Sequence, residues 1–211
     1  MSALSDWFRK NPEPPQGQPR ASVDWRLELE ALEKEAETAS RAFQGTLLNK
    51  AGDVCLRAGE RDLTLTYYGR GIDALLEDGQ REAARGVANK IIRVHPDAIR
   101  TLCTLTWLDL AARHMATAIL HLRDYVEAAR KGRQEFITAE QVYMMASIAP
   151  QEEFLASAAD ALDSLGFAER ADRVRGWAGS GGSPDRITDP NTLATYCLNS
   201  AVGANLKGRR K

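Results

Sequence analysis

Residues 47–97 read LLNKAGDVCLRAGERDLTLTYYGRGIDALLEDGQREAARGVANKIIRVHPD, and this stretch decides the fold. Its one proline, Pro96, sits next to its end. Proline removes a backbone donor and clashes with the preceding turn, so helix interiors exclude it. The remainder is rich in Ala, Leu, Glu and Arg, which favour helix. Gly59 and Gly79 each follow an apolar-periodic run, where a residue able to take positive φ ends a helix. The stretch therefore predicts helices over about 46–58, 62–78 and 81–94, the last closed by His95 and Pro96.

The same punctuation extends outward. The chain has 211 residues and eight prolines, none of them in 20–95, 97–149 or 151–183. No run of five or more positions alternates Val, Ile, Thr and aromatics, so strand signals are nearly absent. An all-α fold follows. A first helix is expected over about 22–44, with Ser22 as its cap. Asp97 is expected to cap a helix to about 113, followed by one over 115–131 that ends at Gly132. Further helices are expected from Thr138, from a first turn holding Pro150 to Gly166, and over 167–178. Residues 11–20, NPEPPQGQPR, and 179–190, GSGGSPDRITDP, read as flexible linkers. The expected organisation is an N-terminal extension with a Pro-rich linker over 1–20, a helical domain over 21–178, and a Gly/Ser linker with a basic tail over 179–211. Within that tail, 191–206 reads as one amphipathic helix that docks on the body or on a partner.

Composition excludes several classes. Lys and Arg number 28 against 29 Asp and Glu, so the net charge is −1 and no chain-wide field draws nucleic acid or acidic membrane. No apolar run is long enough to cross a bilayer, and the first residues, with Asp6, Arg9 and Lys10, do not form a secretory leader. The three cysteines are far apart and include no CxxC pair, so they read as buried hydrophobes in a reducing compartment. The expected location is cytoplasmic, with the cytoplasmic face of a membrane as one option. Catalysis is not expected. The chain has no GxxxxGK[ST] loop, no GxSxG elbow and no GxGxxG after a strand. His114 and His121 are seven apart, where a metal pair on a helix wants four. No metal or cofactor is expected.

Helix starts at 46 and 80, and at 81 and 115, recur at about 34 residues, the period of helical-hairpin repeats. Leu48, Ala51, Gly52, Gly59, Tyr68 and Gly71 fill the large and small positions of one such unit. Gly79, Ala84, Ala88, Ile91, Val94 and Pro96 fill a second registration, and Leu102, Leu105, Ala118, Leu122 and Tyr125 a third. In this the chain resembles the tetratricopeptide (TPR) repeat family over about 46–131. The first two registrations share the helix around Tyr67, and Thr106 and Asp109 depart from the pattern in the third. The resemblance implies a right-handed solenoid of antiparallel helix hairpins that binds protein partners in a concave groove. It puts Arg100, Cys103 and Trp107 on that groove, while an aromatic at helical spacing also suits packing between helices. The family's clamp for acidic peptide tails needs Lys and Asn where this chain has Asn49 and Asp53, then Cys103 and Trp107, so a chaperone-tail receptor is not implied.

The two ends carry the other candidate contacts. Leu4, Trp7 and Phe8 share one helical face beside Arg9 and Lys10, and 207–211, KGRRK, hold four basic residues in five. The candidate partner-binding residues are therefore Arg100, Cys103, Trp107, Trp7, Phe8, Lys207, Arg209, Arg210 and Lys211. The leading expectation is a non-catalytic scaffold, a subunit or assembly factor of a larger complex. The alternative is a peripheral membrane or nucleic-acid adaptor anchored through KGRRK and Trp7-Phe8. Protein is the expected partner, anionic lipid a secondary one, and nucleic acid is not favoured.

Overall fold

The structure, a computed structural model, describes residues 24–149 and 151–206. Its elements are α1 (Trp25–Thr38), α2 (Arg41–Arg57), α3 (Arg61–Glu77), α4 (Arg81–Val94), α5 (Ile99–Ala111), α6 (Met115–Lys131), α7 (Glu135–Ile148), α8 (Glu152–Ser164), α9 (Ala168–Gly179) and α10 (Pro190–Leu206). No strand occurs among the described residues, so the all-α class holds. None of these helices is long and apolar enough to cross a membrane.

Loops of two to four residues join α1 through α9. Five of them repeat one device. The second residue after the helix takes positive φ, and the next N–H reaches back to a carbonyl of the last turn. Glu60 N–H donates to the Cys55 carbonyl, Gln80 to Leu75, His114 to Asp109, Gln134 to Ala129 and Phe167 to Leu162. This pattern satisfies carbonyls that the helix end leaves open. The left-handed residue is Gly59, Gly79 or Gly166 in three cases, and Arg113 (φ 58°) or Arg133 (φ 53°) in two.

Five boundaries differ from the sequence reading. The first predicted helix, 22–44, is broken at Ala39 and Ser40. There the Thr38 hydroxyl donates back to the Lys34 and Glu35 carbonyls, both Ala39 and Ser40 are extended, and α2 begins at Arg41. Gly45, expected between two helices, lies inside α2 because its bare Cα admits Leu75: a Cβ there would lie 2.5 Å from Leu75 Cγ. α1 starts at Trp25, with the Asp24 carboxylate accepting from the Arg26 N–H at 3.1 Å; Ser22 lies outside the described residues. The N-cap of α5 is Ala98, not Asp97, and α7 begins at Glu135, which leaves Thr138 buried in its first turn. Pro150 also lies outside the described residues, and α8 begins at Glu152.

From α1 to α9 each helix packs on its chain neighbours, α6 also meets α8, and α7 also meets α9. The closest approach is between α2 and α3, where small residues let the two backbones meet. A Cβ on Gly52 would sit 2.3 Å from Tyr68 Cδ1, and one on Gly71 would sit 3.3 Å from the Gly45 carbonyl oxygen. A smaller apolar cluster joins α1 to α3 around Leu29, Leu48 and Val54, and a larger one runs from Tyr68 to Ala201. Starts two helices apart are spaced 34 residues between α4 and α6, but 38 between α3 and α5 and 40 between α2 and α4.

The segment after α9 does not simply leave the body. The Ile187 N–H donates to the Ile148 carbonyl at 3.0 Å, and Ser183 is fully buried. α10 then lies across α5 and touches α3.

Candidate functional site

α5, IRTLCTLTWLDLA, is apolar or small on nearly every face, and ten consecutive residues from Thr101 to Leu110 are buried. A helix of that composition needs cover all round. α4 and α6 cover two of its sides and α10 a third. α10 turns Leu193, Ala194, Cys197 and Ala201 inward, a stripe at i, i+1, i+4 and i+8. Its Asp189 cap accepts from the Thr192 N–H and hydroxyl, each at 2.7 Å, and these bonds hold the Asp189 carboxyl below its usual range. The Trp107 ring faces Tyr196 of α10 with centroids 6.2 Å apart at 55°.

The candidate residues divide. Trp107 and Cys103 are both buried. Their Nε1–H and Sγ–H point at one acceptor, Gln141 Oε1 of α7, at 3.1 and 3.8 Å. Trp107 is thus packed between helices and faces no open surface here. Arg100 is exposed one turn earlier on α5. It lines a depression of about 800 Å³ with Leu65, Arg70 and Asp73 of α3, Asp97 and Gln134. Its charges are mixed, two arginines facing two aspartates. Trp7, Phe8, Lys207, Arg209, Arg210 and Lys211 lie outside the described residues.

Two polar clusters escaped the sequence reading. Tyr68, expected in the core, does bury its ring, and its hydroxyl donates to Asp53 Oδ1 at 2.5 Å. Lys90 of α4 donates to both Asp53 oxygens and to Asn49 at 2.7 to 3.0 Å, so Asn49 and Asp53 are engaged with the chain itself. The hydroxyl of Tyr68 is raised well above the usual phenol range by burial and by that carboxylate.

The second cluster ties α4, α5 and α6 together. The Asp109 carboxylate is fully buried; Arg85 Nη1 donates to its Oδ1 at 3.3 Å and His121 Nδ1 to its Oδ2 at 2.7 Å. Arg85 Nη1 also lies 2.7 Å from His114 Nδ1. A guanidinium only donates, so His114 Nδ1 is the acceptor and the ring carries its proton on Nε2. A pocket of about 500 Å³ opens here, lined by Arg85, Asn89, Asp109, His114, Thr117 and His121. The two histidines do share a face, but among the described residues no group of three ligands is placed to hold a metal ion. Serine and cysteine are missing from the pocket lining, so the Asp–His pair has no nucleophile beside it other than the Thr117 hydroxyl. Its visible work is charge compensation of a buried carboxylate. The signal in the sequence was a lone aspartate in LTWLDLA, followed by two histidines.

No protein-family model, curated protein or solved structure matches the chain.

Proposed function

We propose that this chain is a non-catalytic protein–protein interaction scaffold of TPR-like build, a right-handed stack of antiparallel helix hairpins that serves as a subunit or assembly factor of a larger cytoplasmic complex. One observation carries the reading: the face of α3 and α5 already holds a helix, α10, seated on it by side-chain packing. A surface that accepts one amphipathic helix has the shape and polarity to recognise another. The open stretch of the same face, around Arg100, is where a partner first meets the chain. Arginine is among the residue types that dominate interface energy. The Trp7-Phe8 segment and the KGRRK tail supply further contacts, and tethering several weak sites raises avidity without strengthening any one of them.

Affinity capture from cells of the source organism tests this. Three baits are compared: the full chain, the Arg100→Glu chain, and a chain without 1–20 and 207–211. Proteins held by the full chain at physiological salt should be lost or reduced with Arg100→Glu, by about 2 kcal/mol of affinity if Arg100 is a central contact. Binding that survives in all three baits overturns the groove-and-tails arrangement. Binding that belongs to the tails alone and collapses between low and physiological salt points to a polyanion instead.

A further inference from the structure

We propose that α10 is a detachable occupant, held in the seat of a partner's helix and replaced by it when the partner binds. This rests on the scaffold reading above and adds what the partner must look like: an amphipathic helix with short side chains at the spacing of Ala194, Cys197 and Ala201 and an aromatic ring placed for Trp107.

The first ground is how α10 is fastened. Each of α1 to α9 carries at least one side-chain hydrogen bond or ion pair to another helix, as in Tyr67 to Glu33, Lys90 to Asp53 and Arg170 to Glu140. From Pro190 to Gly203, among the described residues, α10 has none. Its two threonine hydroxyls bond within its own first turn, Thr192 to Asp189 and Thr195 to the Asn191 carbonyl. Directional bonds bind a helix to one register; over 190–203 apolar contact does the holding, and such contact is open to any helix with the same relief.

The second ground is the size of what α10 buries. Its fully inward stripe is mostly small, Ala194, Cys197 and Ala201 beside Leu193, while Leu198 and Val202 pack only partly buried at its edge and Tyr196 is 36% exposed. Among the described residues, none of the largest fully buried side chains belongs to α10. Such a helix stays seated because it is tethered. Residues 180–189, with Gly181 and Gly182 at φ 81° and 111°, deliver it at an effective concentration on the order of millimolar.

The third ground makes the open state short-lived unless a substitute fills the seat. α5 is apolar on the side that α10 covers, and uncovering Trp107 and its neighbours to water is unfavourable. Departure of α10 is therefore coupled to arrival of a substitute with a similar surface. A helix satisfies this; an extended peptide without the small-residue stripe does not.

The cysteines report the exchange in the intact chain. Cys197 of α10 and Cys55 of α2 are both fully buried, and burial pushes both thiols up, Cys197 to about 12. Either reacts at neutral pH only through an opening. Under native conditions iodoacetamide should modify Cys197 at least about tenfold faster than Cys55, read by peptide mass spectrometry. Equal rates would mean that α10 opens only with the whole body, and the proposal falls. A synthetic peptide of residues 190–206 carrying Cys197→Ser, added at millimolar concentration, should speed Cys197 modification in the full chain further; no change overturns the proposal. The same peptide, fluorescently labelled, should bind the Ala201→Glu chain at least about tenfold more tightly than the wild-type chain, since a carboxylate in that seat expels the tethered helix. Tyr196→Ala replaces Ala201→Glu if circular dichroism shows the latter unfolded, and equal affinity for wild type and variant again overturns the proposal. A concentration-dependent dimer in which α10 of one copy covers α5 of another assigns the seat to a second copy and rules out the foreign helix. These readouts do not involve Arg100, so they stand or fall apart from the capture experiment.

Discussion

The rings of Trp107 and Tyr196 meet at 6.2 Å, and they hold opposite standings in the fold. Trp107 has no exposed surface, and its Nε1–H is bound to Gln141, whereas Tyr196 keeps 36% of its surface in solvent. Trp107→Ala leaves a core cavity and leaves Gln141 Oε1 with only the weak Cys103 Sγ–H donor, so it should cost about 3–5 kcal/mol of global stability. Tyr196→Ala removes an aromatic pair worth about 1 kcal/mol from α10 alone. Urea denaturation followed by circular dichroism should show a large midpoint shift for the first variant and little for the second. A matching loss in both would make α10 part of the cooperative body.

Gly52 and Gly86 are both glycines within helices, and the structure predicts opposite signs for them. A Cβ on Gly52 would strike the ring of Tyr68, which is buried and held through its hydroxyl by Asp53. Overpacking of about 1–3 kcal/mol outweighs the gain in helix propensity, so Gly52→Ala should lower the melting temperature. Nothing lies within 4 Å of a Cβ on Gly86. Gly86→Ala should therefore raise stability by about 0.5–1 kcal/mol. Thermal melts of the two variants check both signs.

Arg113 and Arg133 occupy the left-handed position that glycine holds in three sister loops. A side chain there costs about 1–2 kcal/mol, against about 0.5–1 kcal/mol for the extra freedom that glycine loses on folding. Arg113→Gly and Arg133→Gly should each give a small stabilisation, and Gly59→Ala, with open space around it but φ at 79°, a loss. Chemical denaturation midpoints that do not separate the arginine variants from Gly59→Ala would refute the steric account of these loops.

Strong acid should loosen the first turn of α10. The hydrogen bonds from Thr192 depress the Asp189 carboxyl below its ordinary value of 3.8. A depressed carboxylate stabilises the folded state above its unfolded value, and that contribution is lost as pH falls through the lower, folded one. Protection of the Thr192 and Leu193 amides should be flat from neutral pH down to about pH 5 and fall only in stronger acid. In the Asp189→Asn chain the acid-dependent loss should disappear. Loss of protection already near neutral pH would place the controlling group elsewhere.

Several of these features were legible in the chain and others were not. The ends of α2, α3, α4 and α8 follow from residues within one turn, since proline and positive-φ glycine act on their own backbone; at the end of α6 Gly132 keeps φ at −85° and Arg133 takes the left-handed position instead. The break between α1 and α2 was missed because Thr38, Ala39 and Ser40 are unremarkable in composition, while Gly45 looked like punctuation. Its real reason is Leu75, thirty residues away and on another helix. Asp109 is a misfit in an apolar helix by sequence alone, and its compensation comes from Arg85 of α4 and His121 of α6, which the helix itself does not encode. Trp107 offered two readings at equal strength, because helical spacing gives a side chain's direction but not what stands opposite.

What the sequence determined by itself was local: an all-α chain, most helix boundaries, and an amphipathic helix near the C-terminal end. Those properties depend on φ, hydrogen bonds over four residues and hydrophobic periodicity, all encoded within a few positions. Only the tertiary structure decided that α10 lies on α5, that Trp107 is covered and Arg100 is open, and that Asp53 and Asp109 are each compensated by a cation from α4. Those outcomes join residues far apart in the chain. They are selected by complementary relief and charge between helices, which no single helix carries in its own sequence.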